Sequence, residues 1–114
     1  MSEIRIEQFP GAGTDGRDTV QMPVLDLTAN CITLASGATA AASAPLDPKT
    51  RVIGIRASAG GVAVRLGRGD DTAVAALLPN AAAGASVNQD EYRHFAIPTA
   101  LHGKTDVRVA VIDR

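Results

Sequence analysis

The chain has 114 residues, 46% of them apolar, and a formal charge of −1, the length and composition of one globular domain around one hydrophobic core. Its eleven basic and twelve acidic residues are dispersed. They form no basic stripe for counterion-release binding, so nucleic acid is not an expected partner. No apolar run approaches the ~18 residues of a membrane span, and Met1-Ser2-Glu3-Ile4-Arg5 lacks the basic and apolar regions of a secretory signal.

The single cysteine, Cys31, excludes an internal disulfide framework and fits synthesis in a reducing cytoplasm. Aromatic residues make up only 3%, namely Phe9, Tyr92 and Phe95. A core of Ala, Val, Ile and Leu buries little area per residue. The chain is therefore expected to be marginal alone and to gain burial from a second copy or a larger body.

In chain order, Ile4-Arg5-Ile6-Glu7 alternates apolar with charged residues, the period of a half-buried strand that ends at Phe9-Pro10. Residues 11–17 form a glycine-rich loop. Residues 19–28 alternate again with a phase shift near Pro23, as at a bulge or edge strand. Cys31-Ile32-Thr33-Leu34 reads as a strand with Cys31 as a small buried hydrophobe. The Ala-rich residues 36–43 lack helical spacing of large apolar residues, so a thin strand or extended arm is expected there. Pro45 and Pro48 bracket a turn.

Val52, Ile53 and Ile55, the turn signal Ala59-Gly60-Gly61, and the alternating Val62, Val64 and Leu66 together read as a β-hairpin. Residues 73–78 are a helical turn or a strand. Residues 92–97 form a strand with Tyr92, His94 and Ala96 on one face and Arg93, Phe95 and Ile97 on the other. In residues 106–112, Val107, Val109 and Val111 point inward and Arg108 outward. About seven to nine short strands separated by Gly, Pro and Asn turns predict an all-β fold. The expected form is a single-domain antiparallel β-sandwich or jelly-roll-like barrel over residues 1–114, with residues 1–17 as a candidate extended N-terminal arm.

Chemical motifs are weak. Gly11-Ala12-Gly13-Thr14-Asp15-Gly16 matches G-x-G-x-x-G, but strand-like residues and a proline follow where a dinucleotide site needs a helix. Arg68-Gly69-Asp70 reads as a solvated turn, its role open. Asp70-Asp71 and Asp90-Glu91 are adjacent carboxylates that a strand would point to opposite faces. His94, His102 and Cys31 do not make a zinc set. There is no G-x-S-x-G elbow, and no basic neighbour in sequence to activate Cys31. No enzymatic activity, catalytic residue, metal or cofactor is expected.

The segment from Thr50-Arg51-Val52-Ile53-Gly54-Ile55-Arg56-Ala57 onward carries Val62-Ala63-Val64-Arg65-Leu66-Gly67, Thr72-Ala73 and Leu77-Leu78-Pro79. After these come Glu91-Tyr92-Arg93-His94-Phe95-Ala96-Ile97-Pro98 and the stretch from Lys104 to Ile112. In this order the elements resemble a family of small bacteriophage virion structural proteins, of the capsid-decoration and head–tail accessory type, over residues 50–112. The resemblance implies a non-enzymatic virion protein made in the host cytoplasm. The first expectation is a capsid decoration or cement protein that binds the major capsid protein or other virion proteins as a homo-oligomer, a trimer being favoured. Ile4, Ile6 and Phe9 of the N-terminal segment and the aromatic Tyr92 and Phe95 are the candidate partner-contact residues. Alternatives are a phage tail or neck component and a carbohydrate-binding β-sandwich, whose sugar stacking would fall to Tyr92, Phe95 and Phe9.

Overall fold

Strand alternation puts apolar side chains on one face of each strand, and two such faces must cover one another. The computed structural model, which describes residues 2–10, 12–14, 21–23 and 31–114, meets this demand as a β-sandwich. One sheet contains, in spatial order, β4 (Cys31–Ala35), β1 (Glu3–Phe9), β6 (Val52–Ala57) and β9 (Tyr92–Ala96). The other contains β5 (Ala41–Ala42), β10 (Val107–Asp113), β7 (Val62–Arg68) and β8 (Ala85–Val87). A separate two-stranded ribbon joins β2 (Ala12–Thr14) to β3 (Gln21–Pro23). All strand pairings are antiparallel. The chain changes sheet between β4 and β5, β5 and β6, β6 and β7, β8 and β9, and β9 and β10. These crossings between sheets make the fold a sandwich rather than a simple meander.

The core lies between the sheets. Ile4 and Ile6 on β1 and Ile53 and Ile55 on β6 face Val62 and Val64 on β7 and Val109 and Val111 on β10. These β-branched side chains suit a pleated, buried surface. A second apolar layer covers the outer face of the second sheet. There Ala63, Ala110 and Ile112 lie beneath Val74 of α1 (Asp71–Ala75) and Leu78 just beyond it. Small residues let these layers approach. A Cβ on Gly84 would stand 2.7 Å from the carbonyl oxygen of Val64, which is backbone in a ladder and cannot yield.

Polar nodes close the two ends. The Ser36 hydroxyl accepts from the Ser2 backbone N–H at 2.8 Å and donates to the Asp113 carboxylate. The Ser2 hydroxyl in turn accepts from Ala59 N–H at 2.9 Å and donates to Gly60 O at 3.1 Å. At the other end, Gln8 Oε1 accepts from Asp47 N–H at 2.7 Å and from the Thr50 hydroxyl at 2.8 Å. Among the described residues no buried side-chain nitrogen or oxygen lacks a partner, as a low-dielectric interior requires.

Three expectations are corrected. The N-terminal segment is not an arm over residues 3–9: β1 is hydrogen-bonded to β4 on one side and β6 on the other. Residues 15–17 of that candidate arm lie outside the described residues. The segments around Ile53 and Val64 are not a hairpin, because β6 and β7 belong to opposite sheets and the turn between them crosses the sandwich. Cys31 is exposed: Ile32 and Leu34 take the inward register and leave Cys31 on the outer face beside Glu7. Arg68-Gly69-Asp70 is the exposed turn expected, and it also carries structural contacts. Arg68 Nε donates to Asp106 Oδ1 at 2.9 Å, Gly69 adopts φ +118°, and Asp70 caps α1 by accepting from Ala73 N–H at 2.8 Å. The hydrogen bond from Arg68 also holds the Asp106 carboxyl below the usual carboxylate range.

Ile55 is completely buried against both layers. Replacing it with Ala should lower unfolding free energy by about 2–5 kcal/mol, through lost transfer energy and the cavity left behind. Equilibrium urea denaturation should show this as a lower midpoint with little change in slope.

Candidate functional site

Two surfaces gather the distinctive side chains. The first is the outer face of the sheet that carries β9. Strand register aligns Cys31, Glu7, Gly54 and His94 in one row across four strands, and Arg5, Arg56 and Tyr92 in the next. Tyr92 lies diagonally over Gly54 and donates its phenol proton to Glu7 Oε2 at 2.5 Å. The glycine makes room for this: a Cβ there would stand 2.6 Å from Tyr92 Cζ. The Tyr92 ring meets His94 edge-on at 4.6 Å between centroids, and Phe9 tilts against His94 at 5.9 Å. Arg5 Nε donates to Cys31 Sγ at 3.1 Å and stands 3.4 Å from Glu7 Oε1.

The row brings a thiol, a carboxylate and an imidazole onto one face. It does not make a nucleophile–base pair. Three strand steps of about 4.8 Å separate Cys31 from His94, far beyond the ~3 Å that proton transfer needs. Partial burial, followed by the hydrogen bond to Glu7 and that residue's negative charge, raises the Tyr92 phenol above the usual tyrosine range. The phenol therefore stays a neutral donor well into alkaline solution.

The second surface is the flank where β9 and β8 form the lip of the sandwich. β9 pairs with β6 alone among the described residues. Its ladder is anchored by Ile97 N–H donating to Arg51 O at 2.7 Å. Alternation from that bond turns the backbone groups of Arg93 and Phe95 toward β6 and those of Tyr92, His94 and Ala96 toward the free edge. A half-open cavity of about 170 Å³ enters between the sheets on this flank. Its floor includes buried Ile53, Ile55 and Val109, its walls the half-buried Leu66 and Phe95, and its rim the exposed Ala96. Arg93 lies beside the Phe95 wall of this cavity. Its guanidinium lies 4.9 Å from the Phe95 ring centroid, donates to Ser86 O on β8, and stands 3.9 Å from Glu91.

The five expected contact residues therefore divide. Ile4 and Ile6 are fully enclosed and Phe9 is 8% exposed, so the first two cannot meet a partner and Phe9 offers only a ring edge. Tyr92 is 40% exposed, and Phe95 is half-buried in the cavity wall. Sequence reasoning missed the cavity and the role of Arg93. The signal was present, because Arg93 shares a face with Phe95 and Ile97, and a charge on the inward face marks an edge strand. The Ala-rich residues 38–42 line a wide groove against Thr72 and Ala75, with β5 as the short edge beside it. The glycine-rich motif lies partly in β2, and its residues Gly11, Asp15 and Gly16 fall outside the described residues.

Because the chain has one tyrosine, its ionisation can be followed by ultraviolet absorbance. The folded midpoint should lie above the free value of about 10. Glu7→Gln should lower it part of the way, and Gly54→Ala should do so by displacing the ring while the fold survives. Since the folded pKa is raised, the stability linked to this phenol is fully present below pH ~10 and is lost as pH climbs through the folded value. An unshifted wild-type midpoint would contradict the Tyr92–Glu7 contact.

No family model, curated protein or solved structure matches the chain.

Proposed function

We propose that the chain is a non-enzymatic structural protein of a bacteriophage virion, a small capsid-decorating protein that docks on the major capsid protein. The observation that carries this reading is the open flank. Among the described residues β9 pairs on one side only, and it turns the main-chain groups of Tyr92, His94 and Ala96 away from β6 beside an apolar cavity, an arrangement suited to adding a strand from another protein. The resemblance over residues 50–112 supports the same reading. The mechanism is mechanical. Main-chain pairing sets the register, and burial of Tyr92 and the Phe95 wall supplies the anchoring, as aromatic residues do at many interface centres. A homotrimer would multiply the attachment points, and each added contact would slow release.

A sugar-binding reading has one specific observation behind it, the exposed Tyr92 ring packed edge-on against His94 on a flat sheet face. Stacking on a pyranose would use that ring. A glycan array probed with wild type and Tyr92→Ala separates it: tyrosine-dependent glycan binding without particle association would replace the capsid reading.

In particles purified from cells that make the chain, quantitative gel analysis should find hundreds of copies per particle, the count of a shell protein. A handful of copies would move the protein to the tail or neck, and its absence from particles would overturn the virion reading. Tyr92→Ala should fold normally and lower shell occupancy at limiting protein concentration.

A further inference from the structure

We propose that the β9 flank is a strand-addition site for an extended partner segment of the pattern apolar-x-apolar-x-acidic, running antiparallel to β9. The proposal rests on the virion reading for the source of that segment and names the chemistry that would recognise it. Three independent features specify the pattern.

The first is register. The outward groups of Tyr92, His94 and Ala96 would bond the incoming strand, so partner residues opposite Arg93, Phe95 and Ile97 share the inward face. The second is volume. The cavity beside Phe95 measures about 170 Å³, comparable to the roughly 150 Å³ engineered cavity that takes one benzene. It suits aliphatic side chains opposite Phe95 and Ile97, since its floor of Ile53, Ile55 and Val109 is apolar.

The third is charge. Arg93 packs beside the Phe95 wall with its side chain 44% exposed, and its carboxylate neighbour Glu91, just ahead of β9, is 3.9 Å away. A carboxylate on the residue opposite Arg93 would form a direct cross-strand pair. Antiparallel reading from Ile97 to Arg93 orders these positions, from the partner's N-terminus, as apolar, any residue, apolar, any residue, acidic. The intervening residues would lie on the outer face near His94, where the surface is polar and tolerant.

The test uses the full chain and a fluorescein-labelled peptide, Thr-Leu-Thr-Ile-Thr-Glu-Thr, read by fluorescence anisotropy. The expected result is saturable binding. It should weaken by about tenfold or more in Ala96→Pro, which removes an edge donor without touching the β6 ladder. The fold of that variant is checked by circular dichroism. Arg93→Glu should weaken the same peptide and recover binding when the peptide glutamate becomes lysine, which keeps the test decisive if Ala96→Pro fails to fold.

Absence of saturable binding overturns the proposal. So does equal binding of a peptide in which Leu and Ile become Ser, or a charge swap without recovery. Self-association that Ala96→Pro abolishes, seen by sedimentation, would assign the edge to a second copy and overturn it as well. Particle occupancy without peptide binding sinks this inference alone. Peptide binding without particle occupancy sinks the capsid reading and leaves the chemistry of the flank standing.

Discussion

The fold depends on one constraint: two aliphatic faces only one side chain deep must stay in register across the gap between sheets. Ile4, Ile6, Ile53 and Ile55 supply one face, and Val62, Val64, Val109 and Val111 the other. A one-residue slip in β1 or β6 would turn isoleucines to water and bring Arg5 or Arg56 inside. The polar nodes at both ends act as stops against that slip. Ser2, Ser36 and Asp113 fix one end and Gln8 and Thr50 the other, and each bond is made only at one register.

That constraint also explains where working surface remains. Interior strands have both ladders occupied and their apolar faces enclosed. The outer face of the second sheet is capped by α1, which is tied down by Arg108. That guanidinium donates to Gly69 O and Ser43 O at 2.9 Å each and pairs with Asp71. The outer face of the first sheet has no such cap among the described residues, and one of its edges, β9, lies beside the cavity. The proposed docking therefore has a defined place in the architecture, set by which strand stands last.

Much of this was legible in the chain. Alternation separated the two faces of residues 92–97 and gave the inward face of β10, with Val107, Val109 and Val111 in the core, because half-buried strands impose period two on any sequence that folds this way. The class of fold followed from the same signal. Pairing did not follow. Ala59-Gly60-Gly61 looks the same whether the next strand returns beside β6 or crosses to the other sheet, since only contacts remote in sequence decide between them. The N-terminal Ile4-Arg5-Ile6 pattern was equally silent about having neighbours on both sides. Tyr92 lying across Gly54 to reach Glu7 depends on a cross-strand diagonal that no local pattern encodes.

β10 occupies an inner lane of its sheet, with β5 and β7 on either side. On the ribosome, β5 has no mate, and β7 only the short β8, until translation has passed residue 113. β1 likewise waits some fifty residues for β6. Such non-local closure makes maturation slow and leaves sticky, unmated strands for its duration. A shortage of large aromatic side chains makes those transient strands less adhesive while the chain is being made.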